Sequence, residues 1–156
     1  MKKILILLLS FIILSSCQDD VKFSNESIQA QRNGAFWEAT TYKAVLTSNG
    51  YVVFTGSNGF ETLTIRTSTI NPHTSSFGTN VEDFAEYSNS TPNASGNYST
   101  GINGSSGEIV ITDYSGGTVS GNFKFNALNI LPGLTNPDSV IFRNGVIYKI
   151  PVTVVQ

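Results

Sequence analysis

From Val119 to Ala127 the chain alternates strictly: Val119, Gly121, Phe123, Phe125 and Ala127 fall on one side, and Ser120, Asn122, Lys124 and Asn126 on the other. A two-residue period sends successive side chains to opposite faces, so this run predicts a β-strand with one apolar and one wet face. Ile109 and Ile111 precede it across Ser115-Gly116-Gly117, and Leu63 with Ile65 repeat the pattern more weakly. Val140 and Phe142 lead into Asn144-Gly145, beyond which Val146, Tyr148 and Ile150 form a return arm. Asn33-Gly34, Asn49-Gly50, Asn58-Gly59, Asn103-Gly104 and Gly116-Gly117 sit between similar β-favouring runs. Such dipeptides tolerate the positive φ that tight hairpin turns demand, so the chain reads as successive antiparallel hairpins. Past residue 16 nothing shows helical periodicity. The expectation is an all-β domain, an antiparallel β-sandwich or a meander closing toward a barrel, with about eight to ten strands.

Residues 70–102 are the least regular, with Pro72, Pro92 and the polar run Ser88-Asn89-Ser90-Thr91. One strand is expected there, Glu82 to Ser88. Loops shown by a rigid β scaffold commonly carry binding, so this stretch is the first place to look for a ligand.

The beginning of the chain follows different rules. Lys2 and Lys3 precede an apolar run from Ile4 to Leu14 and two small residues, Ser15 and Ser16. That is the layout of a secretory signal over residues 1–16, too short to span a bilayer core of about 30 Å as a helix. The tetrad Leu14-Ser15-Ser16-Cys17 resembles the bacterial lipobox, whose cysteine receives a diacylglycerol on sulfur and an acyl chain on its new amino terminus. Two or more chains anchor a protein stably where one does not. Cys17 is the only cysteine, so the expected partner is a membrane, reached through a lipid on Cys17. Gln18-Asp19-Asp20 resembles the short acidic signal that sends Bacteroidota lipoproteins to the outer face of the outer membrane. Residues 17–26 then read as lipidated cysteine and tether, and 27–156 as one β domain.

Composition narrows the function classes. Charged residues are only 13% of the chain, its polarity coming from Ser, Thr, Asn and Gly, as expected of a β-rich fold. The formal net charge is −2, and loss of Lys2 and Lys3 takes the mature chain to −4. With no basic cluster, nucleic acid is not an expected partner. A lone imidazole, His73, leaves no multi-histidine zinc site, and its Asn71-Pro72-His73-Thr74 context reads as an exposed turn. No Gly-Lys-Ser/Thr phosphate loop occurs. No cofactor is expected.

Glu82, Asp83 and Glu86 form the densest acidic group, but on a strand Glu82 and Glu86 face one way and Asp83 the other. Trp37 and Tyr42, with Tyr87 and Tyr98, are the aromatic candidates for stacking against sugar rings, but Trp37, directly after a hairpin turn and next to Phe36, is expected in the core. Tyr87, Tyr98, Glu82 and Glu86 are therefore the candidate ligand contacts. Two functions follow: a non-catalytic surface module that binds a glycan, a small molecule or a protein, or a small glycan hydrolase using two facing carboxylates.

Four runs then invite comparison: Ile28-x-Ala30-x-x-Asn33-Gly34-x-x-Trp37-x-Ala39, Ser106-Gly107-Glu108-Ile109-x-Ile111-Thr112-x-Tyr114, Val119-Ser120-Gly121-x-Phe123-x-Phe125-x-Ala127, and Asn144-Gly145 followed by Ile150-Pro151-Val152. They resemble an uncharacterised family of small Bacteroidota lipoproteins defined by a domain of unknown function. The resemblance implies a cell-surface β domain and carries over no catalytic residue. Where family members tend to show a Gly-Thr-Tyr type turn before a Gly, this chain has His73-Thr74-Ser75-Ser76-Phe77-Gly78. Asp138-Ser139-Val140 resembles the Asp-Ser/Thr-apolar pattern at which such bacteria attach O-glycans, which makes Ser139 a candidate acceptor.

Overall fold

A computed structural model describes residues 25–79, 82–131 and 137–155. Eleven strands and no helix occupy them: β1 (Ser27–Arg32), β2 (Ala35–Glu38), β3 (Thr41–Leu46), β4 (Val52–Asn58), β5 (Glu61–Thr67), β6 (His73–Phe77), β7 (Phe84–Asn89), β8 (Gly96–Ser99), β9 (Ser106–Ser115), β10 (Thr118–Asn129) and β11 (Ser139–Val154). All-β is as expected, with slightly more strands.

Two long strands organise the rest. Along one edge β10 pairs with β11; along the other it pairs first with β9 and then, at Leu128 and Asn129, with β8. Likewise β11 gives its second edge to β1 over Phe142–Tyr148 and then to β3 over Val152–Val154, the latter the one parallel ladder among the described strands. Because both strands change partners, the sheet closes through β11-β3-β4-β5-β7-β8-β10 and back to β11, with β1-β2 and β9-β6 as flanking ribbons. The result is a flattened barrel of two layers, β6-β9-β10-β11-β1-β2 on one side and β3-β4-β5-β7-β8 on the other.

Three sequence expectations are corrected. Asn144-Gly145 is no hairpin: β11 runs through it, Asn144 taking φ 51 in a bulge. Arg143 and Asn144 both face outward, so the inward phase moves from Phe142 to Gly145, Ile147 and, after a second bulge at Lys149 (φ 48), Ile150. Asn adopts positive φ more readily than most residues, which serves a bulge as well as a turn. Gly145 is glycine for another reason: a Cβ there would lie 2.5 Å from the Phe123 ring. Second, residues 70–102 carry three strands, β6, β7 and β8, and the middle one begins at Phe84, not Glu82. Third, His73 is not in an exposed turn; it opens β6 half-buried, opposite Ile111.

The core lies between the layers. Phe142 is fully buried, stacked on Phe125 at 4.7 Å between ring centroids, edge-on to Tyr87 at 5.3 Å and to Trp37 at 5.9 Å. Trp37 is 2% exposed and belongs to this core. At the rim Arg32 of β1 reaches the opposite layer, where its guanidinium donates to Glu61 and to the Tyr87 hydroxyl. Tyr87 packs on Tyr98 at 5.8 Å. Burial pushes both phenols above their ordinary value, with Arg32 pulling the other way.

Phe125→Ala is expected to cost about 3–5 kcal/mol and Lys124→Ala less than about 0.5 kcal/mol. Gly145→Ala, which pushes into Phe123, should cost about 1–3 kcal/mol; urea melts of the three variants check the register. A raised phenol value means that the folded state holds its proton more tightly than the unfolded chain does. The contribution of Tyr87 and Tyr98 is thus complete below about pH 10 and lost as pH rises through their folded values. Stability measured against pH should fall above about pH 10, less steeply in Tyr98→Phe.

Candidate functional site

The outward face of β9, β10, β11 and β1 carries three adjoining depressions. The first, of about 380 Å³, is lined by Glu108, Val110, Asn122, Lys124, Asn144 and Val146. Lys124 separates it from a second of about 290 Å³ over Ser106, Asn126, Ile141 and Arg143. Ile141 and Arg143 in turn border a third of about 410 Å³ with Gln31, Asn33 and Gly34. Together they form a groove in which the amides of Gln31, Asn33, Asn122, Asn126 and Asn144 stand beside the charged Glu108, Lys124 and Arg143, with apolar patches at Val110, Ile141 and Val146.

Strand register explains how these side chains meet. Phe36 of β2 pairs with Gln31 of β1, and Gln31 with Arg143 of β11. On β10, Phe123 pairs with Gly145 and Phe125 with Phe142, so Lys124 alone stands opposite both Arg143 and Asn144. Beyond it Lys124 pairs with Glu108, at 3.1 Å between Nζ and carboxylate. One row therefore crosses the sheet from Phe36, 69% exposed, to Glu108. Asn144 Nδ2 donates to Gln31 Oε1 at 3.3 Å, and Asn33 Oδ1 accepts from the Ile141 amide at 2.8 Å, tying the β1–β2 turn to β11. The Lys124–Glu108 pair is solvent-exposed and weak, so either partner can turn to a ligand at small cost.

The residues singled out by sequence lie elsewhere. Tyr87 and Tyr98 are 3% and 5% exposed; they are core, not a stacking platform, because inward alternation along β7 and β8 claims them. Glu82 and Glu86 are exposed on the other layer, whereas Asp83 is buried. Tyr51 donates to the Glu82 carboxylate, and this hydrogen bond, foremost among the causes, raises the Tyr51 phenol. Ser139 begins β11 half-buried opposite Leu128. Cys17, Gln18, Asp19 and Asp20 lie outside the described residues.

Asp83 closes a polar network instead of facing a second carboxylate. Its Oδ2 accepts from Ser68 Oγ at 3.2 Å and lies 3.3 Å from Thr67 Oγ1, which is 2.7 Å from His73 Nε2. His73 Nδ1 meets the Asn71 carbonyl at 2.7 Å, and since a carbonyl only accepts, Nδ1 carries the proton. In the neutral ring Nε2 then accepts from Thr67, and Ser68 is the donor that Asp83 keeps. This arrangement pins the end of β5 to β6. Among the described residues no group of three or more His, Cys, Asp or Glu is placed to hold a metal ion, and no helix is long and apolar enough to cross a membrane.

The groove was missed because Asn144-Gly145 reads locally as a turn. The available signal was the shift of apolar phase between Phe142 and Ile147, which a hairpin does not require and a bulge does.

No curated protein and no solved structure matches the chain. The model of one family does, the domain of unknown function DUF6252, over residues 24–151. That span takes in all but the last residues of β11 and every other strand of the barrel, groove included, and the chain therefore belongs to the DUF6252 family.

Proposed function

We propose that this protein is a non-catalytic binding module, held on the outer membrane by a lipid on Cys17 and facing the cell exterior, which takes a glycan in the groove of β9, β10, β11 and β1. The observation that carries the binding reading is the bulge in β11, which turns Arg143 and Asn144 outward together between Lys124 and Gln31. Bulges re-aim side chains at functional places, and planar amides offer both donors and acceptors to sugar hydroxyls. Both β10 and β11 have ladders on two edges, so a ligand here meets side chains and not free backbone. Support for anchoring is the sequence alone: Lys2-Lys3, the apolar run and Leu14-Ser15-Ser16-Cys17.

A glycan array probed with the detergent-solubilised protein tests the binding reading. Retention of at least one glycan is expected, weakened about tenfold in Asn144→Ala or Gln31→Ala, a factor that corresponds to about 1.4 kcal/mol; unchanged binding in both variants would remove the groove from the proposal. For the anchor, Cys17→Ser should abolish metabolic incorporation of labelled fatty acid, and label retained by that variant would refute lipidation.

A further inference from the structure

We infer that the groove selects acidic polysaccharide, seating a uronic-acid carboxylate on the Arg143 guanidinium; this rests on the groove being the binding face. The three arginines of the chain have different employment. Arg32 is held by Glu61 and Tyr87. Arg66 lies 4.8 Å from the ring centroid of Tyr51 and 4.6 Å from that of Phe84, and donates to the Glu82 carbonyl. Arg143 is exposed and, among the described residues, its guanidinium makes no hydrogen bond or ion pair. It is the arginine that the bulge delivers to the middle of the groove.

Guanidinium presents a planar fork of donors that matches a carboxylate, and the match is stronger than any neutral hydrogen bond the groove can offer. Lys124 faces the same bulge and supplies a second positive charge once it turns from Glu108. In a chain whose net charge is negative, an anion approaches against the overall field unless cations are gathered where it docks. Around these two cations stand Asn122, Asn126, Asn144 and Gln31, suited to a ligand dense in hydroxyls. Phe36 ends the row with an open ring face that fits the apolar side of a sugar. An acidic peptide would gain most from adding a strand, and β10 and β11 have no free edge to give it here.

Lys43 supplies an internal control. It too is exposed without a partner among the described residues, but it stands on the opposite layer beside Thr41, Tyr42 and Ser57.

The test is calorimetric titration of the full-length protein in detergent, with chelator present, using a short oligogalacturonate, the same oligomer after carboxyl reduction, and poly-glutamate. The oligogalacturonate should bind about tenfold or more tightly than its reduced form and than poly-glutamate. Arg143→Gln should erase that preference, Arg143→Lys keep part of it and Lys43→Gln leave it intact, with unchanged melting curves showing that the variants fold. Equal binding of the reduced oligomer or of poly-glutamate, no binding of the uronate, or indifference to Arg143→Gln would each overturn the inference. A neutral glycan lost in Asn144→Ala yet unaffected by Arg143→Gln would overturn it while leaving the groove as the binding face.

Discussion

The stacking of Phe142 on Phe125, with Phe123 beside them, is the contact on which the remaining structure depends. These rings come from the two long strands, and Tyr87 and Trp37 join them from the opposite layer and from the β1–β2 ribbon. Aromatic clusters of this kind bury large area and tolerate little displacement. Phe123 in turn occupies the space a side chain would need at position 145. With Phe142 and Gly145 both fixed inward, two residues and not one must fill the interval between them, and both must point out. The bulge at Arg143-Asn144 is thus the surface consequence of how the core packs.

That coupling places the groove on strands paired along both edges. Its floor is the back of β10 and β11, which share the longest ladder of the sheet and are flanked by β9 and β1. Side chains on such strands hold their positions better than side chains on loops, an advantage for reading a ligand through several weak polar contacts. The opposite layer uses its polar residues differently: Arg66 clamps Tyr51, Phe84 and the Glu82 carbonyl, and the His73-Thr67-Asp83 network fastens β5 to β6. These groups are engaged within the fold, Asp83 through its Oδ2, whereas Arg143 in the groove is exposed.

Membership of the DUF6252 family, a domain of unknown function, names no ligand. The chemistry therefore has to be read from the arrangement of amides and cations on one sheet face. Arg143, exposed at the centre of that face, is the residue on which the proposed reading turns.

Local chemistry made part of this legible from the sequence. The β10 alternation was readable because its period is local and one face must be apolar; Asn33-Gly34 and Gly116-Gly117 were readable because both residues of each take positive φ. Trp37 as core followed from its neighbours. Other features depend on pairings remote in sequence. Asn144-Gly145 has the same local preference as a turn, and only the ring of Phe123 and the register with β10 make it a bulge. Tyr87 and Tyr98 carry no local mark that distinguishes a core pair from a sugar platform; the closing of β7 and β8 against β10 buried them. The groove itself joins β1, β9, β10 and β11, drawn from both ends of the domain. Only the tertiary structure could assemble it: the alternation of β10 marks Asn122, Lys124 and Asn126 as outward, but only register sets Gln31, Glu108, Arg143 and Asn144 beside them.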